Sequence, residues 1–253
     1  MDKEYYKEYY HLERKNWWFT VRSKILADRI ATFFPKNTQK QVLNVGVATG
    51  ATSEMLAQFG QVMSVEYDKD CYEFTKTILK TPLINGSILE MPFENLHYDL
   101  VCAFDVIEHV EDDLKAVQEM KRVCKKGGYV MVTVPAFMSL WGQHDVVNQH
   151  YRRYRLHELE QLFLADNDGI ITYKNYFNSL LFPPIFLART AMKFLAKFTK
   201  PKREGAGSDH TLIDEDSVIL KILENIFETE RKLLQKAWKF PVGVSAVLVW
   251  KKN

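Results

Sequence analysis

The stretch VLNVGVATGATSEML, residues 42–56, decides the fold. A short apolar run, interrupted by Asn44, ends at Gly46. Small residues continue to Gly50, and a helical pattern starts at Ala51. This order reads as a buried strand, a tight turn and a helix. Glycine in such a turn lets the backbone approach a ligand closely, because it carries no Cβ.

The same rhythm continues downstream. Residues 41–46 read as a strand and 51–60 as a helix closed by Gly60. Residues 61–67 form a strand, and 68–79 a helix stopped before Pro82. Residues 83–88 and 98–107 are further strands. Residues 111–128 read as a helix with Glu111, Asp112 and Asp113 at its start and Lys121, Arg122, Lys125 and Lys126 at its end. That order suits the helix dipole, and Gly127 and Gly128 provide the stop. Residues 129–135 are a fifth strand. After Pro135 comes a polar, aromatic loop, then a helix over 156–167 and a strand over 169–177. Two helical stretches flank KREGAGSD, residues 202–209, and a last strand spans 242–252. Upstream, residues 1–34 read as one helix ended by Pro35.

Continuous apolar strands alternating with helices predict a doubly wound, mostly parallel seven-stranded sheet of the Rossmann-like α/β class. The expected organisation is a single domain: a helical cap over 1–40, a core over 41–178, a helical insertion over 179–240 and the last strand over 241–253. The bulk numbers allow this. The chain has 253 residues, 47% of them hydrophobic and 26% charged, with a net charge of +2. Nothing in that balance calls for nucleic acid. Cys71, Cys102 and Cys124 are widely spaced, without a CxxC pair, which argues against a disulfide framework and suits a reducing cytoplasm. The N-terminus lacks the apolar core of a secretory signal, and no apolar run approaches the roughly 20 residues that cross a bilayer.

A dinucleotide fingerprint would need glycines at 46, 48 and 51, and only Gly46 is present. Gly46 and Gly50, with Ala48 between, fit a different spacing. Here the chain resembles the class I S-adenosylmethionine-dependent methyltransferases, whose first motif runs acid-x-Gly-x-Gly-x-Gly. Asn44 occupies the acid position. NGSILEMPF (85–93), FDVIEHVED (104–112) and RVCKKGGYVMVTVP (122–135) resemble that family's later motifs in order. The resemblance implies S-adenosylmethionine as cofactor and S-adenosylhomocysteine as product. It places Glu66 on the ribose hydroxyls, Ser87 and Ile88 beside the adenine, and Tyr67, Asp105 and Val106 in the same site. The outer segments, ERKNWWFTVRSKIL (13–26) above all, resemble a bacterial subgroup with His-Trp-Trp-Phe near its start, and Asn16 replaces that His. Asn44 cannot pair electrostatically with the cofactor's amino group, and charge-assisted bonds are roughly twice as strong as neutral ones, so a weaker site is expected. Ala48 costs about 1 kcal/mol or more if its φ is left-handed.

Methyl transfer requires alignment of donor and acceptor and, for some acceptors, removal of a proton. His109, after the fourth strand, is a candidate base or a loop-orienting residue. His144 and His150, with Asp145 as an orienting acid, lie in the loop after the fifth strand. As a metal set their spacing is irregular, and no metal is expected. Trp141, Asp145, Tyr151 and Arg153 are candidate acceptor contacts, and one or more arginines of HYRRYR (150–155) are expected to pair with Glu158 or Glu160. Trp18 and Arg22, four apart on the leading helix, share a face, with Arg22 suited to the methionine carboxylate. Residues 180–203 combine an apolar face with Arg189, Lys193, Lys197 and Lys200. They form either a lid or a peripheral contact with the inner face of a membrane. The acceptor is expected to be a small or lipid- or sugar-linked molecule. The rival readings are a non-catalytic S-adenosylmethionine-binding regulator and a nicotinamide oxidoreductase.

Overall fold

The computed structural model describes residues 3–196 and 217–253. Two N-terminal helices, α1 (Lys3–Lys15) and α2 (Trp17–Ala31), precede the alternating core. That core runs β1 (Gln41–Val45), α3 (Ala51–Leu56), β2 (Gln61–Glu66), α4 (Lys69–Thr75), β3 (Leu83–Asn85), β4 (Tyr98–Phe104), α5 (Asp113–Val123) and β5 (Cys124–Pro135). There follow α6 (Gln143–Val147), α7 (Leu156–Leu164), β6 (Gly169–Phe177), α8 (Phe182–Ala196), α9 (Val218–Gln235) and β7 (Ser245–Lys252).

The described strands form one sheet in the order β3-β2-β1-β4-β5-β7-β6. Pairings from β3 to β5 are parallel, while β7 runs antiparallel to both β5 and β6. Strand order reverses between β1 and β4, and ligands of open parallel sheets bind outside the carboxyl ends of the strands at such a switch. Val42, Leu43 and Val45 of β1 and Val101, Cys102 and Ala103 of β4 are buried, which is why these segments read as unbroken apolar runs. One face packs on α5 and α7 through Val117, Met120, Leu159 and Phe163. The other packs on α2 and α9 through Ile25, Leu26, Ile30, Phe227 and Leu234. Asp28 ties the latter two helices together, accepting from Arg231 Nε at 2.6 Å and Gln235 Nε2 at 2.8 Å.

Three readings change. The N-terminal segment is two helices, because Asn16 caps the second: its side chain accepts from the Trp18 N–H at 2.9 Å. The helix over 111–128 ends at Val123, and its expected glycine stop lies inside β5. The reason is pairing. Tyr98 opposes Cys124 and Leu100 opposes Tyr129, so β5 bulges between these pairs. Gly127 takes φ 71° there, and a Cβ on Gly128 would stand 2.9 Å from the Lys125 carbonyl oxygen. The loop after β5 also carries structure: a 3-10 turn over Met138–Leu140, then α6. Asp145 sets that helix by accepting from the Gly142 N–H at 2.8 Å. The hinge 202–209, Lys197 and Lys200 lie outside the described residues.

Candidate active site

The site is built on the carboxyl ends of β1, β2, β4 and β5. Gly46 leaves β1 with φ 69°. A Cβ there would stand 2.5 Å from Val106 Cγ2, so the loop passes beneath Val106 with no room for a side chain. Ala48 takes φ 47°, the left-handed geometry that costs a non-glycine residue, and Gly50 takes φ 91° as it enters α3. Two anchors hold Ala48: its N–H donates to Glu66 Oε2 at 2.9 Å, and its carbonyl accepts from Thr75 Oγ1 at 2.7 Å.

Glu66 ends β2. Its Oε1 accepts from the Asp68 N–H at 2.9 Å. Burial raises its pKa, and the Asp68 and Ala48 amides oppose that rise. Asn85 braces the turn by donating to the carbonyls of Glu66 at 2.7 Å and Tyr67 at 3.0 Å, while Tyr67 itself points to solvent. Ser87 accepts from the Leu89 N–H at 3.1 Å, and Ile88 is buried beside it.

Asn44, at the acid position of the first motif, is committed to the protein itself. It is fully buried, and its amide donates to Thr52 Oγ1 at 2.8 Å and Ser53 Oγ at 3.0 Å. Those bonds tie β1 to the first turn of α3. Its Oδ1 has no hydrogen-bond partner.

Asp105 follows β4 with φ 57°. Arg22 Nη2 reaches Asp105 Oδ2 at 2.5 Å and Thr133 Oγ1 at 3.1 Å, joining α2 to the ends of β4 and β5. Thr133 in turn donates to Asp105 Oδ1 at 3.2 Å. Trp18 flanks the guanidinium, 5.5 Å from its ring centroid. From above, α1 closes the Gly46–Gly50 loop: Arg14 donates to the Thr49 carbonyl at 3.0 Å, and Glu13 takes the Thr49 hydroxyl. Tyr6 Oη donates to Asp68 Oδ1 at 3.0 Å, and its ring stacks on Phe74.

On the other side of Asp105, Glu108 is fully buried, and among the described residues neither carboxylate oxygen has a hydrogen-bond partner. Burial, and next the charge of Asp105, push its carboxyl well above the usual range. His109 stands edge-on to His150 with ring centroids 4.5 Å apart. Desolvation of the ring, then the neighbouring His150, pull His109 down to about 4, even though the residue keeps an exposed edge.

The loop after β5 reorganises the expected roles. Asp145 orients His150 rather than His144: His150 Nδ1 lies 2.9 Å from Asp145 Oδ1. Arg153 Nε donates to the same oxygen at 2.7 Å. Burial works against charge on Asp145, but His150 and Arg153 hold its carboxyl far below the usual range. Arg153 is itself buried and also donates to the Ala136 carbonyl at 3.2 Å, so it braces the loop. His144 packs near His150 and Asn148, with 6.0 Å between the imidazole centroids. Trp141 is half-buried and Tyr151 exposed, and the Tyr151 N–H donates to the Glu108 carbonyl at 2.8 Å. Arg152 pairs with Asp113 at 2.7 Å rather than with Glu158 or Glu160. Glu158 instead accepts from the Arg155 N–H.

Sequence reasoning passed over Arg14, Glu13, Thr49, Thr133 and the buried Glu108. Thr133 and Glu108 had a signal, each being a polar residue at the end of an apolar strand segment. Arg14 had none. An open depression of about 440 Å³ between α5 and α7, lined by Asp113, Leu114, Arg152 and Glu158, shares no residue with Gly46, Glu66 or Asp105. It lies outside this constellation.

Comparison with known proteins matches the same stretch of chain. Residues 43–132 match the methyltransferase domain family. A Mycobacterium tuberculosis protein named "Probable S-adenosylmethionine-dependent methyltransferase" is 28% identical over 157 residues, 60% of this chain and 56% of that protein. Demethylmenaquinone methyltransferase of Staphylococcus aureus is 29% identical over 115 residues, 40% of this chain and 48% of that protein. The chain thus spans about half the length of the curated relatives it matches. The methyltransferase solved with the Haloferax volcanii Trm112 activator has the same fold, with a TM-score of 0.59 at 12% identity over 98% of this chain and 96% of that one. Over residues 43–132 the chain is thus similar to methyltransferase domains, and the relative from Mycobacterium tuberculosis that shares this stretch is named for S-adenosylmethionine.

Proposed function

We propose that the chain binds S-adenosylmethionine across the carboxyl ends of β1, β2 and β4 and transfers its methyl group to a small or lipid-linked acceptor. One observation carries the reading. The Gly46 backbone runs where no side chain fits, and the amide of the next turn, Ala48, locks the Glu66 carboxylate at the same edge. A close-approaching backbone beside a fixed carboxylate suits a nucleoside whose ribose presents two vicinal hydroxyls.

When bound, S-adenosylmethionine supplies a methyl group activated by its sulfonium. The protein's part is alignment. Glu66 accepts from the ribose diol, with its orientation set by Ala48 and Asp68 before any ligand arrives. Arg22 fixes Asp105, and its Nε, buried without a protein partner, is the donor left for the carboxylate of the amino acid end. Ser87 and Ile88 flank the base. His109, His144 and His150, with Trp141 and Tyr151, face the acceptor side, where an imidazole can serve as general base.

The acceptor reading leans toward the apolar. Arg189 and Lys193 of α8 dock on the carbonyls of Leu140 and Ser139, so they are turned onto the protein. The exposed residues of α8 include Leu187, Met192 and Phe194. A basic face on an anionic membrane is therefore less apt than an apolar contact with a lipid-linked acceptor. The relative named for demethylmenaquinone points the same way. No helix among the described residues is long and apolar enough to cross a membrane. The subgroup with Trp-Trp-Phe near its start is our finer reading of residues 13–26, where Asn16 serves as a helix cap.

Calorimetry tests the cofactor. S-adenosylhomocysteine should bind and NAD should not, and Glu66→Ala should weaken binding by ~1.5–3 kcal/mol. Preference for NAD overturns the reading. Methyl-labelled S-adenosylmethionine, incubated with lipid and polar extracts, tests transfer. Label should pass into the lipid fraction, and binding without any transfer would favour a regulatory protein.

A further inference from the structure

We infer that Glu108, His109 and His150 form a binding site for one divalent first-row transition-metal ion such as zinc. Their ligating atoms all lie within 4.8 Å of one another. Three points so spaced fit within a circle of radius about 2.8 Å. Closing to the roughly 2.0–2.2 Å of zinc–nitrogen and zinc–oxygen bonds needs shifts of under about 1 Å, within the reach of side-chain rotation.

Glu108 is the second, independent sign. An exposed carboxylate is solvated by water, but this one is fully buried with both oxygens lacking a partner. Such a group carries a large desolvation cost unless something pairs with it. A cation held by two neighbouring imidazoles is a partner of the right charge and position. The outer contacts also match what metal-bound histidines require, namely an acceptor on the second ring nitrogen. His150 gives its Nδ1 to Asp145, which Arg153 and the Gly142 amide hold in place, leaving Nε2 toward the cluster. Asp145 is thus a support and not a ligand, and the metal, expected from the sequence to be absent, is placed instead on Glu108, His109 and His150. Two imidazoles and one carboxylate favour zinc or iron over magnesium, which prefers oxygen ligands.

Three protein ligands leave at least one coordination position open. On the methyl-transfer reading, the ion takes an oxygen of the acceptor and eases loss of its proton to solvent. The oxygen's lone pair then forms the new C–O bond as the S–C bond breaks, with its electron pair going to sulfur. This catalytic consequence rests on the proposed function, whereas the metal site does not.

The test uses full-length protein without an affinity tag, stripped with chelator and titrated with Co²⁺. One equivalent should bind with a visible absorption band that Zn²⁺ abolishes. Glu108→Gln, of equal size, and His150→Ala should each remove the band, while His157→Ala, on the exposed face of α7, should keep it. Asp145→Asn should weaken binding about 10–100-fold. Thermal melts identify any variant that fails to fold, and in that case Glu108→Gln alone decides. Absence of stoichiometric binding, or equal binding by wild type and a folded Glu108→Gln variant, overturns the site. S-adenosylhomocysteine calorimetry on the same stripped protein reports the cofactor reading separately.

Discussion

Gly46→Ala tests the geometry on which the cofactor groove depends. Two penalties act together. Gly46 has φ 69°, and a left-handed non-glycine residue costs roughly 1–2 kcal/mol. The added Cβ would also meet Val106, at 2.5 Å from Cγ2 and 3.1 Å from Cγ1. Val106 cannot easily swing aside, because β-branched side chains are stiff at χ1. Overpacking of this sort costs about 1–3 kcal/mol, so the total should reach roughly 2–5 kcal/mol. Val106→Ala alone should cost about 1 kcal/mol, since the side chain is only half-buried and each buried methyl is worth about 0.8 kcal/mol. In the double variant both Cγ atoms are gone, and the nearest remaining Val106 atom, Cβ, sits at an ordinary 3.4 Å. Only the φ cost and the lost methyls then remain. The double variant should be more stable than the sum of the singles predicts by about 1–3 kcal/mol. Urea unfolding of the four proteins reads this coupling directly. S-adenosylhomocysteine affinity should fall in Gly46→Ala and recover in part in the double variant. A Gly46→Ala protein that unfolds at the wild-type midpoint, or singles that add within about 0.5 kcal/mol, would refute the account of the loop.

The cap and the charged network make further expectations. Arg14→Ala removes the donors to the Thr49 carbonyl and to Glu54, so hydrogen exchange over 46–56 should speed up and S-adenosylhomocysteine affinity fall by up to about tenfold. Unchanged exchange would mean that α1 does not brace the loop. Arg22→Lys keeps the charge but loses the Nη2 that serves both Asp105 and Thr133 and the buried Nε donor beside it, so calorimetry should show weaker cofactor binding with the fold retained. Equal affinity would remove Arg22 from the site. Glu119 is held below its ordinary pKa first by Arg122 and also by the Met91 amide. Its contribution is present above the unfolded carboxylate pKa and is lost as pH falls through the lowered folded value. Glu119→Gln should therefore destabilise at about pH 7, by under about 1 kcal/mol given its exposure, and have little effect near about pH 3. The opposite order in acid titration of the melting temperature would contradict the sign of this shift.

What the sequence revealed and what it hid divide along a physical line. Strands buried on both faces carry no competing signal, so 41–46 and 98–107 read correctly to within a few residues. Where local and long-range forces disagreed, the long-range force won. The charges from Asp112 to Lys126 describe a good helix, yet the backbone at Cys124 pairs with Tyr98 and becomes strand. Asn16 carried a legible signal, a capping residue directly before an apolar helix, which was obscured by comparison with a histidine at that position. Gly46, Gly50 and Glu66 could be singled out because turn chemistry is local.

The acceptor side is another matter. Glu108, His109 and His150 come from two loops separated by the whole of α5 and β5, and no spacing rule connects them. Asp145 read as an orienting acid for His144 and His150 because the three are close in sequence. Helix α6 instead turns Asp145 inward to Arg153 and the Gly142 amide, and presents His150 to His109. The Tyr151 N–H then clips this loop to the Glu108 carbonyl at 2.8 Å, which holds the two halves in register. The cofactor side is therefore specified by one turn and one carboxylate. The acceptor side depends on a packed loop whose buried charge, Asp145, already has its partners, while the buried carboxylate across from it, Glu108, has none. That asymmetry makes Glu108 the residue whose replacement most directly separates a site that merely orders two loops from one that binds something between them.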